Sequence, residues 1–191
     1  MSSDRQAFSV TATSQPPFRS YSVNRKAGIL AAVYIAVLAI NLDVTIVNVA
    51  LPSIATELHA DTRDLQWVVD GYNLTFAALV LAAGSLSDRY GRRPALIIGL
   101  LGFAATSTLG ALAASTETLI AARFSMGVFA ALIFPTTLSI ITNTFTDPRE
   151  RAQAIGVWGA VFGVSVALGP ILGGTLVSFV DWRAIFWVNI P

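Results

Sequence analysis

Five apolar runs alternate with short polar connections along the chain: Gly28 to Leu51, Leu65 to Ser85, Pro94 to Ala114, Thr118 to Asn143 and Gln153 to Phe179. A bilayer core of about 30 Å needs about 20 helical residues, and each run supplies them. Glycine and proline inside the runs do not break them, because spanning helices tolerate both. A sixth run opens at Trp182, in Trp182-Arg-Ala-Ile-Phe186-Trp187-Val-Asn189-Ile-Pro191, and is too short to span. The pattern predicts an all-α polytopic membrane bundle over 28–191, with five complete spans and the start of a sixth. Residues 1–27 are polar and rich in Ser, Thr and Gln. They lack the charged-then-apolar order of a cleaved signal peptide, so a disordered tail is expected, with Arg25-Lys26 at the membrane edge.

Composition agrees with this. The chain is 54% hydrophobic and 12% charged, with mean hydropathy +0.68, whereas soluble domains are about 25% charged. A net charge of +1 gives no reason to expect a nucleic-acid partner. Cysteine is absent, which excludes disulfides and thiol chemistry. No Ser/His/Asp array, phosphate loop or metal-ligand cluster is visible, so neither an enzyme nor a metal site is expected. His59 stands alone in a connection and reads as an exposed loop residue.

Lys and Arg placement sets orientation. Arg5, Arg19, Arg25 and Lys26 precede the first run, Arg89, Arg92 and Arg93 fill the second connection, and Arg149 and Arg151 the fourth. The opposite side carries Arg63 and Arg183. The N-terminus and the even-numbered connections are therefore expected in the cytoplasm, with the protein in the cell membrane. Trp67 and Trp182 fit an outer aromatic belt. Arg92 and Arg93 sit at a helix start, where the macrodipole disfavours cations by a few tenths of a kcal/mol or so. Cytoplasmic retention and pairing with Asp88 both offset that.

Ionisable groups inside spans are costly and are functional candidates by default. Asp43 lies in the first span, as a protonatable group, a partner of a buried cation, or a neutral hydrogen-bonding residue. At 100° per residue, Asn41, Thr45, Asn48 and Pro52 form a polar stripe. Asp43 points the other way, and between the two lies an apolar strip of Ile35, Leu38, Leu42, Ile46 and Val49 that suits lipid. Asp70 sits about 8 Å deep in the second span at 1.5 Å per residue, and reaching the headgroups is its alternative. Arg123 lies at similar depth in the fourth span, with Gly127 and Ala130 on its face, and snorkelling is its alternative. The fifth span carries Gly156, Gly159, Gly163, Gly169, Pro170, Gly173 and Gly174, a small-residue pattern for close helix packing with a kink at Pro170.

The segment Gly84-Ser-Leu-Ser-Asp88-Arg89-Tyr90-Gly91-Arg92-Arg93 resembles the signature between spans two and three of the major facilitator superfamily. Leu42-Asp43-Val-Thr45-Ile-Val-Asn48-Val-Ala-Leu51-Pro52 looks like the first-span motif of its fourteen-span drug:proton antiporters. Gly163 through Gly174 is similar to the antiporter motif of span five, and Trp182 through Pro191 to the opening of span six. In span four, Met126 and Phe129 stand where the family usually has Gln and Gly.

The resemblance implies proton-driven export of small hydrophobic or cationic compounds by alternating access, with protons as coupling ion and no other cofactor. It makes Asp43 the proton-coupling candidate, with Asp70 and Arg123 beside it. Gly84, Asp88, Arg89, Gly91, Arg92 and Arg93 would form a cytoplasmic latch. Tyr34, Asn41, Asn48, Tyr72, Asn73, Phe134 and Trp158 are the substrate-pocket candidates. The bilayer, a small-molecule substrate and the remainder of the transporter, or a complementing chain, are the expected partners. The competing reading is a truncated, non-transporting membrane protein that is inert or modulates a full-length partner. Nutrient symport is a further rival that the Gly169-Pro170 motif disfavours.

Overall fold

The computed structural model describes residues 23–190, and the expected tail lies outside the described residues as far as residue 22. Helix α1 runs Val23–Leu58, α2 Thr62–Tyr90, α3 Arg92–Ala111, α4 Thr116–Thr144, α5 Pro148–Phe179, and the short α6 Ala184–Trp187. Helices α1 to α5 are long and apolar enough to cross a membrane. All five expected spans are present, most of them longer than the apolar runs. Local chemistry sets their ends. Asp61 and Asp64 form a reciprocal capping box at the start of α2, Ser115 caps α4, and Asp147 accepts from the backbone of Arg149 and Glu150 ahead of α5. Helix α1 continues through Pro52, beyond the apolar run that ends at Leu51.

Helix α4 is the centre of the packing, lying against α2, α3 and α1, while α5 packs on α1 and α6 on α3. The core joins Ile46, Val47 and Ile54 of α1, Tyr72 of α2, Phe103 of α3, Met126 and Ile133 of α4, and Trp182 and Phe186 near the chain's end. Lipid tails are as apolar as leucine, so close backbone approach rather than the hydrophobic effect holds such helices together. Gly127 brings α4 against the α2 backbone, and Gly99 receives Ile133. Outward faces stay apolar: Leu81 is 85% exposed and Leu101 67%.

Two expectations change. The strip on α1 expected to face lipid is largely covered. Ile35 is exposed, but Leu42 and Ile46 are buried and Val49 is partly buried. Helix α5 lays Gly173 against Ile46 and Val49, and Gly169 against Thr45. Apolar periodicity marks a face that avoids water, and a glycine-faced helix satisfies it as well as lipid does. Trp182, placed in an aromatic belt, is instead fully buried. Its indole N–H donates to Glu57 Oε2 at 2.7 Å, because the last turn of α1 offers a carboxylate there. Arg183 pairs with the same carboxylate and lies 4.4 Å over the Trp182 ring. The Glu57 hydrogen bond holds the Arg183 guanidinium above its ordinary pKa.

Candidate functional site

Asp43 and Arg123 meet in the middle of the bundle. Arg123 Nη1 donates to Asp43 Oδ2 at 2.5 Å, and both side chains are 1% exposed. Arg123 Nε donates to the Val68 carbonyl at 3.0 Å, and its guanidinium lies 4.4 Å over the Tyr72 ring. Gly127 and Ala130, one and two turns on, leave room for α2 to come close enough for both contacts. Asp43's other oxygen accepts from Asn189 Nδ2 at 3.0 Å, and that amide also lies 3.1 Å from Ser107 Oγ. Ser107 in turn donates to the Phe186 carbonyl at 2.8 Å. One carboxylate thus ties together α1, α3, α4 and the segment after α6. Every buried side-chain polar atom has a partner among the described residues. Arg123 does not snorkel to the interface. Asp70 is only partly buried and does not join this cluster; no hydrogen bond of its side chain falls among the described residues.

Tyr72 connects the ion pair to a cavity. Its hydroxyl donates to the Ile40 carbonyl at 3.2 Å. The far side of the ring lines a space of about 170 Å³ with Ile40, Asn41, Asn73, Phe76 and Phe134. Phe76 meets Phe134 edge-on at 5.6 Å, and Phe134 lies 5.1 Å from Trp158. Four of the pocket candidates, Asn41, Tyr72, Asn73 and Phe134, therefore share one cavity, and Trp158 adjoins it through Phe134. Tyr34 and Asn48 are elsewhere. Tyr34 is about 9 Å along α1 from Ile40 at 1.5 Å per residue, and donates to the Ala154 carbonyl. Asn48 is exposed and folds back onto the Val44 carbonyl.

The polar hairpin turns on a single residue. Gly91 has φ +103° and ψ 137°, a region that side chains rarely enter. Asp88 Oδ1 accepts from Arg92 Nε and Nη2 at 3.0 and 2.9 Å, and from Ser139 of α4 at 3.2 Å. Gly84 passes close to Pro135 of α4. Arg89 lies 5.6 Å over the neighbouring Tyr90 ring, and Arg93 is exposed. The expected outcome of Gly91→Ala is a loss of about 1–2 kcal/mol from backbone strain, measured by unfolding in mixed micelles. In the fifth span, Gly169 and Gly173 contact α1, while Gly163 and Gly174 face open space and Pro170 is exposed.

Asn189, Ser107, Ser139 and Pro135 are the site residues that sequence reasoning missed as partners. Asn189 lies in the stretch Asn189-Ile-Pro191, but nothing local connects it to Asp43.

The Major Facilitator Superfamily model matches residues 33–191. The multidrug efflux pump LfrA of Mycolicibacterium smegmatis is 46% identical over 162 residues, covering 85% of this chain and 32% of that protein. The tetracenomycin C resistance and export protein of Streptomyces glaucescens is 42% identical over 85% of this chain and 30% of its own length. A crystal structure of a bacterial homologue of the human lysosomal transporter Spinster, inward-facing and occupied, shares the fold. Its TM-score is 0.69 at 21% identity, over 88% of this chain and 42% of that one. The chain spans about a third of the length of the curated relatives it matches. With five membrane-length helices, the centrally buried ion pair and the Gly84–Arg93 hairpin, the chain belongs to the Major Facilitator Superfamily.

Proposed function

We propose that this chain forms part of a proton-coupled exporter of small hydrophobic or cationic compounds, with its N-terminus in the cytoplasm of a cell whose outer membrane boundary it spans repeatedly. The observation that carries the reading is Tyr72. One face of its ring holds the Arg123 guanidinium, and the other lines the aromatic cavity. Proton and substrate sites are then neighbours through a single side chain. A proton on Asp43 removes the partner of Arg123, which releases the Tyr72 contact and reshapes the cavity wall. A bound compound pressing on Tyr72 acts back on the pair, as reciprocal linkage requires. At about 170 Å³ the cavity is below the roughly 300–1,000 Å³ typical of drug-sized sites, which fits a site completed by a second half across the midplane. The efflux relatives support the reading. Asp70 is the alternative loading site on the approach from α2, and the Asp88–Arg92 hairpin the latch toward the opposing half.

The test is efflux of a fluorescent hydrophobic cation from cells making this chain, alone and joined to the remaining two thirds of LfrA. Export by the chimera that collapses with a protonophore is expected. Export indifferent to the protonophore, or no export from either with both present in the membrane, sinks the proposal and favours the non-transporting reading.

A further inference from the structure

A second cavity, far from Tyr72, lies at the end of the bundle where α1 begins and the α2–α3 hairpin turns. It measures about 650 Å³ between α1, α3 and α4. Ile29, Val33, Leu96, Ile97 and Ile140 form its walls, and Arg92, Arg93 and Thr144 its rim. Ile97 is 47% exposed, so the groove opens sideways toward lipid. The charges at the rim do not cancel. Asp88 is matched by Arg92, and the neighbouring Lys26 is matched by Glu150 at 2.8 Å outside the groove. Arg93 has no ion-pair partner among the described residues. The rim is left with a net positive charge above an apolar trough.

We infer that this groove binds an anionic phospholipid, its phosphate on Arg93 and the free edge of Arg92, and an acyl chain along Ile97 and Ile140. Charge complementarity selects the headgroup, since basic residues between helices at a membrane edge attract anionic lipid. The apolar walls select a lipid over a soluble phosphate. The inference needs only that the chain spans a membrane, and it stands apart from the transport reading.

The experiment is native mass spectrometry of the purified chain after exchange into phosphatidylglycerol or phosphatidylcholine with the same acyl chains. Phosphatidylglycerol should be retained about fivefold better, the increment of one interfacial arginine. Arg93→Gln should bring the two lipids near parity, and Arg89→Gln, outside the groove, should not. Ile97→Trp, which fills the trough without touching charge, should lower retention of both lipids, and it carries the test if Arg93→Gln does not fold. Equal retention by the parent chain would overturn the inference, as would equal losses in Arg89→Gln and Arg93→Gln. Displacement of the lipid by an equal concentration of glycerol phosphate would overturn it too, by showing a site for phosphate alone.

Discussion

Replacing Asp43 with asparagine should destabilise the bundle by about 3–5 kcal/mol, and Arg123→Gln should cost a similar amount. Each change leaves a buried charge without its partner, and both side chains are 1% exposed, so solvent cannot compensate. Asn189 remains near Asp43 in the Arg123 variant, and the Val68 carbonyl remains near Arg123 in the Asp43 variant. Neither neighbour carries charge. The double variant Asp43→Asn with Arg123→Gln should be less destabilised than the sum of the singles. The coupling should be about 2–3 kcal/mol, the upper range for contacting residues. Unfolding of all four proteins in mixed micelles of a denaturing detergent gives the cycle. Additive losses would mean that the two side chains do not interact.

Gly127→Ala should cost about 2–3 kcal/mol, the range of an overpacked core. A methyl at this position would lie 2.5 Å from the Tyr72 carbonyl oxygen and 3.0 Å from Thr75 Cβ. The first obstacle is backbone, which cannot rotate away, and moving α2 would also pull Tyr72 from beneath Arg123. Gly169→Ala meets mainly the Thr45 side chain and should cost less. Gly159→Ala meets nothing within 4 Å and should change stability by no more than about 0.5 kcal/mol. The same unfolding assay ranks the three. Equal costs would mean that the α2–α4 approach is not as close as described.

The spans and their caps were open to sequence reasoning because they depend on neighbours along the chain. The Asp61 box, Ser115 and Asp147 before Pro148 are local signals, and membrane length is a matter of counting. The arrangement of the buried site was open only in part. Asp43, Asp70 and Arg123 all stood out as charges in apolar runs, but periodicity does not say which carboxylate meets the arginine. That choice follows from the rotation of α1 against α4, which is set by Gly127 and by α5 covering Leu42 and Ile46. Trp182 shows the same limit. A tryptophan near a span end fits an interface by composition, and only the distant Glu57 makes it a buried anchor. Asn189 and Ser107 were invisible for the simplest reason: an amide and a hydroxyl carry no signal until something buried needs them. Within the hairpin, the Asp88–Arg92 pair was readable from its i,i+4 spacing, whereas its tie to Ser139 was not.

The most direct test of the account is drug-dependent proton movement in vesicles holding the chimera with LfrA, compared among the parent, Asp43→Glu and Asp43→Asn at equal membrane abundance. The account predicts that adding a fluorescent cation drives proton flux in the parent, that Asp43→Glu retains part of it, and that Asp43→Asn loses it. Undiminished drug-driven proton flux in Asp43→Asn would contradict the central claim that the buried Asp43–Arg123 pair couples protons to export.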